Sequence, residues 1–159
     1  MYVVPVLWRD NDNLIILDTN PATHDHYVPL NFLNFNIGNG IITEIIDIDA
    51  GPSYEFSPDY EKFVYTNISI DNEFSIRLAE IDYNQIEALD DGNYEYATNV
   101  TKIIDGSYPE IYWINNDLFT ITVSENNEEF ISYIFDCNSK DLITLPITLK
   151  NILGVYNDE

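Results

Sequence analysis

Between Tyr54 and Leu89 apolar and polar residues alternate almost without interruption, and the runs are separated by clusters of turn-forming residues. Phe56 leads into Ser57-Pro58-Asp59. Phe63, Tyr65 and Ile68 follow, and Asp71-Asn72-Glu73 breaks the run. Phe74, Ile76, Leu78 and Ile81 then alternate with polar positions, and Asp82-Tyr83-Asn84 precedes Ile86-Glu87-Ala88-Leu89. Successive side chains of a strand point to opposite faces, so a period of two buries one face and wets the other. The stretch therefore reads as a half-buried antiparallel meander, with those three polar clusters as its turns. Nowhere does the chain carry a sustained apolar stripe at helical spacing, so the expected fold class is all-β with no long helix.

The flanking stretches repeat the same order. A short apolar strand opens each unit, at Val6-Leu7-Trp8, Tyr54-Glu55-Phe56 and Ile111-Tyr112-Trp113. A polar turn, a strong strand, a longer turn and two further strands follow. In the first unit these strands are Leu14 to Leu17, Leu30 to Ile37 and Ile41 to Ile48, with Gly38-Asn39-Gly40 as a hairpin turn. Asp49-Ala50-Gly51-Pro52-Ser53 reads as the breaker that ends the unit. Tyr94 to Val100 alternates again before Asp105-Gly106-Ser107. The last unit, opening at Glu110, holds Leu118 to Val123, Phe130 to Phe135 and Leu142 to Leu145, and Ile147 to Tyr156 is a last strand or short helical turn. The organisation expected is one all-β domain over 1–159, with repeated antiparallel meanders at about 6–48, 54–89 and 110–145. Leu7 and Phe56 lie 49 residues apart, and Phe56 and Ile111 lie 55 apart. A period of roughly 40–50 residues with about four strands each is that of propeller blades; an open β-sandwich of even strands gives the same pattern. The expected core is Phe63, Tyr65, Phe74, Ile76, Leu78, Trp113, Phe119, Ile121, Ile131 and Tyr133.

The run Phe56-Ser57-Pro58-Asp59-Tyr60-Glu61-Lys62-Phe63-Val64-Tyr65 resembles the turn between the first and second strands of β-propeller blades, of the TolB-like and peptidase-associated type. The resemblance is carried by residues 54–89 and more loosely by 110–145. It implies four-stranded blades packed face to face around an axis. The Gly-His and Trp-Asp signatures of WD40 blades are absent. Three blades fall short of the ~4–8 that close a ring, so the resemblance points to a partial propeller, an open sandwich, or closure through a second copy.

Charge is the second constraint. Asp and Glu number 28 against 6 Lys and Arg, a formal net charge of −22. Self-repulsion at that level opposes compaction, so the charge serves either the environment or a partner. It disfavours direct nucleic-acid binding and an anionic membrane surface, both of which demand a basic face. It favours a basic protein partner. Cys137 is the single cysteine, which excludes an internal disulfide and suits a reducing compartment. It reads as a small hydrophobe at a strand end. No basic leader or apolar span is read in MYVVPVLWRD or elsewhere, and the expected location is the cytoplasm. The Asn67 and Asn99 sequons then read as chance matches.

Catalytic and metal motifs are sparse. His24-Asp25-His26 holds both histidines without a third strong ligand nearby. Asp10-Asn11-Asp12-Asn13 resembles half of a Ca²⁺ loop but lacks the Gly and the closing Glu. No phosphate loop, nucleophile elbow or Cys/His pair is present. Carboxylates are too numerous for any catalytic pair to stand out, so a glycosidase-like reading lacks a motif. The expectation is a non-enzyme with no cofactor and no metal. The acids gather in turns, and Lys is nearly absent beside them. The expected function is that of an acidic binding protein, a bacterial immunity protein that occludes the cationic active site of a toxin. The alternatives are a propeller-type interaction module and a DNA-mimicking anti-restriction or anti-CRISPR protein. Expected partner contacts are Glu125, Glu128, Glu129, Asp90, Asp91, Asp71 and Glu73, with Trp113 as an aromatic anchor.

Overall fold

A computed structural model describes residues 2–19, 30–48, 50–68, 73–88, 94–124 and 130–146. Every regular element among them is a strand. β1 (Tyr2–Trp8), β2 (Asn13–Thr19), β3 (Leu30–Asn36) and β4 (Ile42–Ile48) form a first antiparallel meander. β5 (Ala50–Phe56), β6 (Lys62–Ile68), β7 (Phe74–Ala88) and β8 (Tyr94–Asp105) form a second, and β9 (Ser107–Asn115), β10 (Leu118–Ser124), β11 (Phe130–Asp136) and β12 (Leu142–Thr144) a third. The first two meanders join into one eight-stranded sheet where β4 runs parallel to β8 at Glu44 and Glu95; the third is a separate four-stranded sheet.

The second meander is buried on both faces because the other two cover it. Phe63 and Tyr65 of β6 pack with Ile15, Leu17 and Phe32 of the first meander. Val64, between them in sequence, points the other way and packs with Phe119, Ile121 and Val123 of the third. That is why β6 buries four consecutive residues from Phe63 to Thr66 rather than alternate ones. Phe63 lies 5.3 Å from Phe32, 5.1 Å from Phe56 and 5.3 Å from Tyr65, ring centre to ring centre. Of the expected core, Phe63, Tyr65, Ile76, Leu78, Phe119 and Ile121 are buried, whereas Phe74, Trp113, Ile131 and Tyr133 are half-buried.

Strand register reveals a repeat that the residue identities conceal. One cross-strand row reads Phe56–Phe63–Ala79 in the second meander and Trp113–Phe119–Phe135–Leu142 in the third. The same row in the first is Trp8–Leu14–Phe35–Ile42. The turns repeat too. Ile37 N–H donates to Asp12 O, Ile81 N–H to Glu61 O and Cys137 N–H to Asp117 O, each at 2.8 Å. Gly40 and Lys140 occupy the same left-handed position (φ 73° and 62°) of the turns that follow β3 and β11. Glycine takes that conformation without strain, whereas lysine does not.

Three expectations on chain punctuation are corrected. Gly51, Pro52 and Ser53 do not break the chain but lie within β5, skipped by a register shift between Ala50 and Tyr54. β5 is an edge strand, where a missing N–H costs no ladder bond, and Pro5 and Pro109 likewise sit in the edge strands β1 and β9. Asp82-Tyr83-Asn84 is not a turn; β7 runs through it, and residues 83–85 bulge between the pairs Asp82–Ala97 and Ile86–Tyr96. The second meander therefore takes its fourth strand from β8, beyond the boundary expected at Leu89, and the third opens at Ser107 rather than Glu110. The Ile147 to Tyr156 segment lies outside the described residues.

The Ser57-Pro58-Asp59 turn is held by a buried hydroxyl. Ser57 Oγ accepts from Lys62 N–H at 3.0 Å and donates to Asp59 Oδ1 at 2.6 Å. Ser57→Ala strands the Lys62 N–H and is expected to cost about 1–3 kcal/mol in urea unfolding. A variant as stable as wild type would contradict that role.

Candidate functional site

Antiparallel order gathers one set of turns at a single end of the meanders: residues 9–12, 57–61 and 116–117 between first and second strands, with 37–41 and 137–141 between third and fourth. Turn chemistry puts acids there. Asp10 accepts from the backbone N–H groups of Asp12 and Asn13, both at 2.9 Å. Asp59 accepts from Glu61 N–H at 3.2 Å, and Asp136 from Asn138 N–H at 2.8 Å. A carboxylate bonded to its own turn replaces the missing backbone partner. The Asp12 N–H bond is the largest influence on Asp10 and, with Asn13 and Arg9, holds its carboxyl at about 2, against the opposing effect of burial. Part of the acid clustering thus serves the turns. Asp12 and Glu61 stand beside these caps with their side chains exposed.

The cations at this end are used to fasten one meander to the next. Lys62 Nζ lies 3.2 Å from Asp117 Oδ1 of the third meander, and Lys140 Nζ lies 2.6 Å from Glu80 Oε2 of the second. Arg9 pairs with Asp10 at 3.0 Å and lays its guanidinium over the Tyr83 ring at 4.0 Å. Tyr83, carried inward by the β7 bulge, stacks edge-on against Tyr96 at 5.0 Å and donates its hydroxyl to Tyr60 O at 3.0 Å. Burial pushes the Tyr83 hydroxyl well above its usual range. Elsewhere Lys102 pairs with Asp105 at 2.6 Å, and Arg77 donates to Ser75 at 3.4 Å. Each described cation therefore has a partner within its own chain.

Between the second and third meanders this end opens as a shallow groove lined by Pro58, Ile114, Asn116, Asp117, Asp136 and Asn138. Its side chains are turn carboxylates, amides and an exposed isoleucine. They suit docking of a cationic or amide-rich surface. Among the described residues no group of His, Cys, Asp and Glu gathers as a metal would require. Asp10 of the half Ca²⁺ loop is occupied by Asn13 and Arg9 instead. Burial pushes the Cys137 thiol up to about 11, which keeps it protonated and inert at neutral pH. Iodoacetamide is expected to leave it intact in the folded chain and to alkylate it once urea unfolds the protein. Rapid labelling under native conditions would contradict its burial.

The expected partner residues divide. Glu73 is exposed at the start of β7, where Phe74 pairs with Ile68. Trp113 gives its indole N–H to Glu55 O at 3.2 Å and stacks on Phe119 at 4.5 Å, so its packing lies between meanders. Asp71, Asp90, Asp91, Glu125, Glu128, Glu129, His24 and His26 lie outside the described residues. The strand ends flanking the acids are described. Ala88 pairs with Tyr94 at the turn-bearing end, while Ser124 pairs with Phe130, like Ile68 with Phe74, at the opposite end. Sequence reasoning missed the Arg9–Tyr83 contact and both lysine clamps. Their signal was faint: Lys62 and Asp117 stand 55 residues apart, about one repeat.

No family model and no curated protein matches the chain. Solved structures similar to it include the following two. The uncharacterized protein lmo1340 from Listeria monocytogenes EGD-e superposes with a TM-score of 0.59 at 16% identity, over 91% of this chain and 40% of its own. The β-propeller domain of the Trilobed protease from Pyrococcus furiosus, described as having an open velcro topology, superposes with a TM-score of 0.52 at 14% identity, over 84% of this chain and 39% of its own. The chain spans about two fifths of the length of each. At such identity the likeness shows the fold alone: the meanders are β-propeller-like blades, as the Ser57-Pro58-Asp59 resemblance implies. No helix among the described residues is long and apolar enough to cross a membrane.

Proposed function

We propose that this protein is a non-catalytic, acidic binding protein that docks on a basic protein partner. One observation carries the reading: the described cations are all spent on contacts within the chain, while carboxylates such as Asp12 and Glu61 stand exposed beside them. A net charge of −22 then projects outward with little to neutralise it. Such a field speeds encounter with a cationic surface and disfavours acidic ones. In its most specific form the reading is a cytoplasmic bacterial immunity protein that covers the cationic, phosphate-binding cleft of a nuclease-type toxin. Rigid blades clamped by Lys62–Asp117 and Lys140–Glu80 would hold the acidic turns in place. Binding would then act by occlusion, with no cofactor or metal.

The test is capture followed by identification. The immobilised chain is exposed to cell extract at low salt and eluted in salt steps, and the eluted protein is purified and titrated against the chain. The proposal expects a protein of basic isoelectric point whose own activity on nucleic acid falls as the chain is added. A neutral partner that elutes only with detergent would overturn it.

A further inference from the structure

We infer that the turn-bearing end of the first blade is where the basic partner docks, and that an apolar patch on that partner, bordered by lysine or arginine, covers an apolar centre there. The inference rests on the charge-based reading above and adds the place of docking and its anchors. The cross-strand row Trp8–Leu14–Phe35–Ile42 lies next to the turns of the first blade and belongs to neither core cluster. Trp8 and Ile42 are 55% and 46% exposed, and Leu14 and Phe35 between them are half-buried. The adjoining turn continues the patch, with Ile37 and Ile41 48% and 50% exposed. Ile37 N–H donates to Asp12 O at 2.8 Å, and Asn36 N–H donates to Ile41 O at 2.9 Å, so the backbone holds both isoleucines in place. Ile16 and Leu33, one row further from the turns, are buried within the chain, which confines the free apolar surface to this end. Scattered single hydrophobics need no partner, but a contiguous group with a polar border marks a contact surface.

The border sets the charge of the occupant. Asp12 stands exposed beside Ile37, and the Asp10 side chain is 46% exposed. Glu44 lies opposite Leu33, on the same face as Ile42. Arg9, the cation of this turn, is only 19% exposed, pairs with Asp10 and lies over the Tyr83 ring. An apolar centre in an acidic border complements an apolar centre in a basic one: the anchors lose their water and the charge pairs stay at the rim. Arginine suits that rim because its guanidinium pairs with carboxylates and stacks on an indole. A second copy of the chain would bring acid against acid, and an anionic bilayer would do the same. Trp113, the aromatic anchor expected from sequence, packs between blades, whereas Trp8, the other of the two tryptophans, stands at this end.

Two synthetic peptides of equal positive charge probe the surface: polyarginine, and a peptide in which phenylalanine alternates with the same number of arginines. The indole N–H resonances of Trp8 and Trp113 read both affinity and place. At roughly 0.15 M NaCl the phenylalanine peptide should bind at least about tenfold tighter than polyarginine and shift the Trp8 indole but not that of Trp113. Combining Trp8→Ala with Ile41→Ala, with circular dichroism to check folding, should bring that preference below about threefold while polyarginine binding changes little. Ile143→Ala, at a position 59% exposed on the third blade, should preserve the preference. Equal binding of the two peptides to wild type, or a preference that survives the double variant, overturns the inference and leaves the charge-based reading standing. Failure of both peptides to bind overturns both. Self-association in sedimentation equilibrium, or binding to neutral phosphatidylcholine vesicles, that the double variant abolishes gives the patch another occupant and overturns the inference as well.

Discussion

Phe63→Ala and Phe119→Ala should each lose about 3–5 kcal/mol, seen as a lower urea midpoint at unchanged slope. Both side chains are 0% exposed, and they occupy the same register position in neighbouring blades. Phe63 fills the space between the first and second blades against Phe32, Phe56 and Tyr65. Phe119 does so between the second and third, between Trp113 at 4.5 Å and Phe135 at 5.3 Å. Truncation leaves a cavity that neighbouring rings on rigid sheets cannot collapse to fill. Ile131→Ala, at a half-buried position, should cost clearly less. Either Phe variant unfolding within ~0.5 kcal/mol of wild type would contradict the face-to-face packing of the blades.

Under the proposed function, neutralising acids at the docking end should slow association with the proposed basic partner by roughly tenfold or more, with little change in dissociation. Two variants distinguish the ends. One replaces Asp12, Glu61, Asp90 and Asp91 with their amides, at or flanked by strand ends on the turn-bearing side. The other replaces Glu125, Glu128 and Glu129 with Gln, flanked by the paired ends Ser124 and Phe130 on the opposite side. Asp10 is left intact because it caps its turn. Both variants should be as stable as wild type or slightly more so, since like-charge repulsion falls. The variant that slows association marks the docking end. Normal association by both would leave the charge a role in solubility alone.

The strands were legible wherever one face is apolar and turn residues are dense, as at Phe63, Tyr65, Ile76 and Leu78. Elsewhere the edges of the sheets misled. Gly51-Pro52 is a breaker in a central strand but is tolerated at the edge position of β5, and nothing local tells the two apart. Asp82-Tyr83-Asn84 has turn composition, and Asp82 Oδ1 does accept from Asn84 N–H at 2.9 Å. The reversal is overridden because β7 keeps pairing with β8 beyond it and the half-buried Tyr83 packs against Tyr96 and Arg9. The repeat was visible in its first strands but not in its turns. Gly40 and Lys140 share a conformation with no shared residue type, since backbone hydrogen bonds define it. At the candidate site the acid excess was plain from composition. Its division between turn caps such as Asp10 and Asp136 and outward carboxylates such as Asp12 depends on hydrogen bonds between neighbours that spacing alone does not specify.

In the proposed function, charge on a propeller-like scaffold drives recognition of a basic protein. The most direct measurement is the association rate constant of wild-type chain with its purified basic partner, by stopped flow, across ionic strengths from about 0.02 M to about 0.5 M. The account predicts a fall of roughly 10–100-fold over that range, with dissociation nearly constant. An association rate that stays flat across the same range would contradict it.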